Sequence, residues 1–196
     1  MNDWFNHAAL QIDAIIQLGK QNLLFTFLLT AIFWLIHFLN WMLRHRLSYL
    51  GIYPRHAIGL RGILFSSFIH GHFDHLIFNT IPLFILINLT LMYGHAVFLF
   101  VTLVVILVSG LAVWCLGRPG IHIGASGLIM GYWGFLLAQV YFHPNLTAIL
   151  IGIVCLYYLS GLATSLLPSV TKSVSWEAHV FGCLAGVAAS VYLAKF

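Results

Sequence analysis

A bundle of six membrane-spanning α-helices in a single domain is the fold this sequence predicts. Apolar residues make up 62% of its 196 positions and charged residues only 6%, against roughly a quarter in an average soluble domain. Mean hydropathy is +1.02. The apolar runs are continuous, which argues for helices and against the alternating pattern of a membrane barrel. A soluble surface cannot be dressed with 8 Lys and Arg and 4 Asp and Glu. A cytosolic domain, a disordered chain and a nucleic-acid-binding module are therefore excluded. At about 20 residues per crossing, six spans fit this length and leave only loops and ends.

The elements follow in order. Residues 1–22 read as a short N-terminal segment and 23–196 as the membrane domain. Asp3, Asp13 and Lys20 precede the first long apolar run without a small-residue cleavage site, so an uncleaved anchor is expected there. The first span covers 23–43. An arginine-, tyrosine- and leucine-rich loop follows, with Arg44, Arg46, Arg55 and Arg61, a mixture suited to the lipid headgroup region. Spans two and three cover 75–93 and 97–116; the Gly/Pro-punctuated stretch 117–124 breaks the chain. Span four covers 126–142, His143-Pro144-Asn145 turns, and span five covers 146–167. Residues 168–176 form a loop before span six at 178–194. Cys115, Cys155 and Cys183 sit in or beside apolar runs and read as buried small side chains rather than bridges. An even number of spans puts both termini on one side. If that side is cytoplasmic, most arginines face outward, against the positive-inside tendency.

Polar groups within apolar spans are costly and need a reason. Three clusters stand out. In Gly124-Ala125-Ser126-Gly127 a serine opens span four, where unpaired backbone N–H groups and the helix dipole favour negative charge. The same residues suit a plain helix cap with glycines for close packing. His179, Gly182 and Gly186 share one face of span six, and Gly124, Gly127, Gly131, Gly134 and Ala138 form a matching stripe near span four. Packing these stripes brings His179 toward Ser126, provided that Ser126 lies on the first turn. His75 and Asn79, four residues apart at the top of span two, point the same way and both can donate to an anionic oxygen. His70, His72, Asp74 and His75 equally suit a metal site, the basis of an alternative reading as a metal-binding transporter or enzyme; a helix start capped by Asp74 is the third reading.

The combination favours hydrolysis. In a chain crossing six times, those ends of spans two, four and six share one membrane face. They supply a nucleophile, a base and oxyanion donors. No carboxylate completes a triad, since Glu177, two residues before His179, leaves the helix on another side. A Ser126–His179 dyad results.

These motifs resemble the rhomboid family of intramembrane serine proteases, most closely its compact bacterial GlpG-type members. Gly124-Ala125-Ser126-Gly127 is similar to the family's GxSG, and His179-x-x-Gly182-x-x-x-Gly186 to its histidine motif. His75-x-x-x-Asn79, with His70 five residues upstream, is similar to its oxyanion pair. The resemblance implies six helices around a water-filled cavity open to the non-cytoplasmic side, with both termini in the cytoplasm of a bacterial inner membrane. It implies Ser126 as nucleophile and His179 as general base. The Ser126 backbone N–H, His75 and Asn79 would hold the oxyanion, with no metal or cofactor. Implied partners are single-span transmembrane substrates and membrane lipids, with no nucleic acid. Two departures stand out. Met130 replaces a tyrosine that stacks on the family's catalytic histidine, where a sulfur–aromatic contact is expected. Leu60-Arg61 lies nearest the family's Trp-Arg pair. With about 20 residues ahead of span one, the soluble domain common in GlpG-type proteins is not expected. Loop 168–176 is expected to cover the site.

Overall fold

The computed structural model describes residues 2–157, 160–167 and 175–195. Six principal helices are labelled here α1 (Asn2–Met42), α2 (Phe73–Leu91), α3 (His95–Leu116), α4 (Ser126–Phe142), α5 (Leu146–Tyr157) and α6 (Trp176–Leu193). Among the described residues, four stretches are long and apolar enough to cross a membrane: Ala9–Met42 within α1, and α2, α3 and α6. The fourth and fifth predicted spans correspond to α4 and α5, apolar helices of 17 and 12 residues.

Helix α1 starts much earlier than the first predicted span. Its 41 residues rise about 60 Å, roughly twice the hydrocarbon core. Residues 2–22 hold no proline, and the carbonyl of Gly19 accepts a hydrogen bond from Asn88 Nδ2 on α2 at 3.1 Å. That tertiary contact ties to α2 a stretch that the sequence set apart as a short N-terminal segment. The helix stops where Arg44 and His45 take left-handed backbone angles, φ 54 and 62. Fully buried Asn40 then accepts from the Leu47 N–H at 2.9 Å and donates to Ser48 Oγ at 3.2 Å. The following loop carries short helical turns at Arg46–Leu50, Ala57–Arg61, Gly62–Phe65 and Ser66–Phe68.

Helix α2 tolerates Pro82 in its interior, as membrane helices can when neighbours re-satisfy the freed backbone. Helix α3 contains a π turn at Val105–Ser109, with the Ser109 hydroxyl donating to the Val105 carbonyl at 2.6 Å. Helix α4 is the centre of the molecule. Every residue from Gly127 to Leu136 is buried, as befits a helix that is apolar all round. Leu83, Leu86 and Ile87 of α2 and Val101 and Val105 of α3 share its core with Ile129, Phe135 and Leu136. Tyr132, also buried, pairs its hydroxyl with Thr102 at 2.8 Å. Large side chains such as Phe27, Leu35 and Phe78 point outward, as a lipid-facing surface requires.

The most intimate helix contact is α4 against α6. A Cβ on Gly182 would collide with the Gly127 carbonyl oxygen, and one on Gly186 with that of Gly131. The predicted glycine stripe serves more than one neighbour, however. Gly127 and Gly134 face Ala178 and Cys183 of α6, whereas a Cβ on Gly131 would strike Val105 in the π turn of α3.

Candidate active site

Three helices begin at one place. Ser126 is the first residue of α4, His179 lies in the first turn of α6, and His75 and Asn79 occupy the first two turns of α2. All four line one cavity of about 460 Å³, together with Gly124 and Gly127. Spacing made that convergence legible; the tertiary contacts explain how it is held.

Gly124 has φ +125, a region open to glycine and strained for other residues. A Cβ there would lie 2.5 Å from His75 Cε1 and 3.0 Å from its Nε2. The first glycine of the motif therefore lets the chain turn into α4 while the His75 ring lies against the turn. The Gly124 N–H donates to the Ser66 carbonyl at 3.0 Å. The next glycine, Gly127, brings α4 to the Ala178 carbonyl, one residue before His179. Ser126 thus sits on the first turn, as the stripe packing required, where N–H groups lack partners within the helix.

His179 is buried, and its Nδ1 lies 2.8 Å from the Ser165 carbonyl oxygen. A carbonyl only accepts, so Nδ1 carries the proton and Nε2 presents a lone pair. With no carboxylate behind it, this ring is oriented by a backbone carbonyl from the chain after α5. Met130, at the position of the family's stacking tyrosine, is buried with its sulfur 3.6 Å from the Ser165 hydroxyl. Its neighbour is thus the residue that holds His179.

His70 has a larger part than its place in the motif suggested. It is fully buried, and its Nε2 accepts from Asn79 Nδ2 at 3.0 Å and from the Ala125 N–H at 3.4 Å. One imidazole therefore ties the amide on α2 to the peptide before Ser126. Burial above all, then the neighbouring His75 and His37, pushes its pKa down to about 3, so the ring is a neutral acceptor. Asn79 still carries a second N–H for another acceptor. The five-residue offset from His75 was the available signal.

The metal-site reading finds little support in this arrangement. His72, Asp74 and His75 border the cavity, but His70 Nε2 is engaged by Asn79 and Ala125. Among the described residues no group of three or more His, Cys, Asp or Glu is placed to hold a metal ion. Asp74 lies within the first turn of α2, while the capping position belongs to His72. Of the loop expected to cover the site, residues 168–174 lie outside the described residues. Ser175 caps α6 by accepting from the Ala178 N–H.

A family model of the rhomboid domain matches residues 57–196. Uncharacterized proteins of Mycobacterium tuberculosis and Mycobacterium bovis are each 34% identical over 171 residues, covering 83% of this chain and 71% of theirs. An uncharacterized protein of Mycobacterium leprae is 34% identical over 171 residues, with 68% of its length covered. With the motif residues gathered in one cavity and the match spanning most of the sequence, the chain belongs to the rhomboid family.

Proposed function

We propose that this protein is an intramembrane serine endopeptidase that cuts single-span membrane proteins near the non-cytoplasmic end of their transmembrane helix. Ser126 Oγ attacks the scissile carbonyl while His179 Nε2 takes its proton. The Ser126 backbone N–H, His75 and Asn79 hold the oxyanion that develops. His179 then returns the proton to the leaving amine, and water releases the acyl-enzyme by the reverse route. In this reading α4 and α5 complete a bundle of six crossings. Both termini lie in the cytoplasm, and the membrane is the bacterial inner membrane. A substrate helix satisfies its own backbone hydrogen bonds and resists hydrolysis. Glycine or proline near its outer end, and a small residue before the cut, ease unwinding into the cavity.

The observation that carries this reading is the shared cavity of Ser126, His179, His75 and Asn79, with the His179 proton held on Nδ1 by the Ser165 carbonyl. The test is cleavage of a fluorescent single-span substrate by purified protein in proteoliposomes, with fluorophosphonate labelling read by mass spectrometry. Ser126→Ala and His179→Ala should each lower kcat at least about a thousandfold, and the label should fall on Ser126. Undiminished cleavage by Ser126→Ala refutes the proposal.

A further inference from the structure

The chain between α3 and α4 meets the start of α6 at two points that the proposed chemistry does not use. Arg118 Nε lies 2.5 Å from Glu177 Oε1, and its Nη2 donates to Oε2 at 3.2 Å. The Arg118 backbone N–H also donates to Oε1 at 3.3 Å. Four residues on, His122 Nε2 lies 2.9 Å from the Arg118 carbonyl oxygen, which can only accept. Nε2 therefore donates, and Nδ1 accepts from the Ser175 hydroxyl at 2.7 Å. On its opposite side His122 exchanges backbone hydrogen bonds with Ile52, at 2.8 and 3.0 Å. His122 thus joins the first loop to α6, four residues before Ser126.

We propose that the Arg118–Glu177 pair and the His122–Ser175 hydrogen bond form a positioning clamp. It fixes the loop that delivers Ser126 against the helix that carries His179. The clamp rests on the protease reading above. Its chemistry suits orientation. Glu177 is nearly sealed from solvent, with its side chain 5% exposed, and stands two residues before His179. A forked guanidinium–carboxylate contact constrains angle as well as distance. The Arg118 side chain is 43% exposed, so water reaches its end of the pair and weakens the net Coulombic gain. The glycine contacts between α4 and α6 start at Gly127 and run away from the cavity. The clamp grips the stretch just ahead of Ser126, beyond the reach of those contacts. Arg118, Glu177, His122 and Ser175 are positioning residues in this proposal.

The test uses the full chain in proteoliposomes. It measures kcat and KM on the fluorescent single-span substrate, the fluorophosphonate labelling rate at Ser126, and Tm. Arg118→Gln, whose amide can still donate to the Glu177 carboxylate, should lower kcat and the labelling rate together by about tenfold, with KM within about twofold and only a small fall in Tm, which Arg118→Lys shares without the full loss of kcat. Arg118→Lys, which keeps the charge, should recover a substantial part of the loss. Ser175→Gly removes the donor to His122 while a glycine cap costs the helix little; a comparable fall in kcat is expected. Several results overturn the clamp: a kcat within about twofold of wild type for both Arg118→Gln and Ser175→Gly, a loss confined to KM, a loss that tracks a lowered Tm, or no recovery in Arg118→Lys. Cleavage that survives Ser126→Ala instead overturns the protease reading, so the two failures are distinguishable.

Discussion

Adding a single methyl group at Gly182 should disable the site without touching a proposed catalytic side chain. A Cβ at this position would overlap the Gly127 carbonyl oxygen and come within 2.9 Å of its carbon and 3.1 Å of Gly127 Cα. Ordinary carbon contacts start near 3.5 Å, and every atom in the way is backbone, which cannot rotate aside. In Gly182→Ala, α4 and α6 must therefore separate locally by about 1 Å. The strain falls beside the chemistry, since Gly127 follows Ser126 and Gly182 lies one turn beyond His179. Overpacking of this kind costs about 1–3 kcal/mol. A displacement of about 1 Å between reacting groups costs about a hundredfold in rate. The assay is kcat on the single-span substrate beside thermal unfolding in detergent. Gly161→Ala serves as the control, because a Cβ there meets nothing within 4 Å. The expected result is a kcat lowered about a hundredfold in Gly182→Ala and unchanged in Gly161→Ala. A Gly182→Ala protein that cleaves within about twofold of wild type would refute the reasoning, since activity would then not depend on backbone contact between these helices.

Asn79→Ala should lower kcat by about a hundredfold or more, the usual effect of losing an oxyanion donor, with KM little changed; steady-state kinetics that match wild type would remove Asn79 from the oxyanion site. His70 should make stability depend on pH. Unfolded, its imidazole binds a proton near pH 6.5, but folded only near pH 3. Between those values the unfolded state holds more protons, so His70 leaves stability intact above about pH 6.5 and erodes it as pH falls toward 3, by up to about 1.4 kcal/mol per unit. Thermal unfolding of His70→Gln from pH 7.5 to 4.5 should show a shallower slope than wild type, and parallel curves would contradict a buried neutral His70.

What the sequence could show depended on which interactions leave a periodic trace. The α4–α6 contact was readable because glycines at helical spacing have few reasons to lie on one face of a membrane helix. The placement of His75 with Asn79 was readable for the same geometric reason, four residues apart on α2. The Ser165 carbonyl that orients His179 was not, because a backbone oxygen has no sequence signature and this one comes from outside the motifs. The early start of α1 was hidden because the Asn88 contact to Gly19 joins positions far apart in the chain. Glu177 shows the limit from the other side. The sequence set it on another side of the helix from His179, yet gave no means to pair it with Arg118, a residue on another element.

The absence of a carboxylate behind His179 has a physical reading within the proposed mechanism. In serine hydrolases with a full triad, the buried aspartate holds the imidazole in the right tautomer and stabilises the imidazolium that forms. The first task needs only an acceptor fixed at Nδ1, and the Ser165 carbonyl at 2.8 Å provides it. The second needs negative charge. A carboxylate left uncompensated among buried apolar helices would be strongly disfavoured whenever the histidine was neutral. The nearest candidate, Glu177, is already neutralised by Arg118. Substituting a carbonyl for the carboxylate therefore keeps tautomer control and gives up part of the transition-state charge stabilisation. The balance then falls on the oxyanion side, where the start of α4, His75 and Asn79 converge. On this logic the oxyanion donors should matter more to the rate, relative to the base, than in a triad enzyme, and so should any contact that keeps Ser126 and His179 in register.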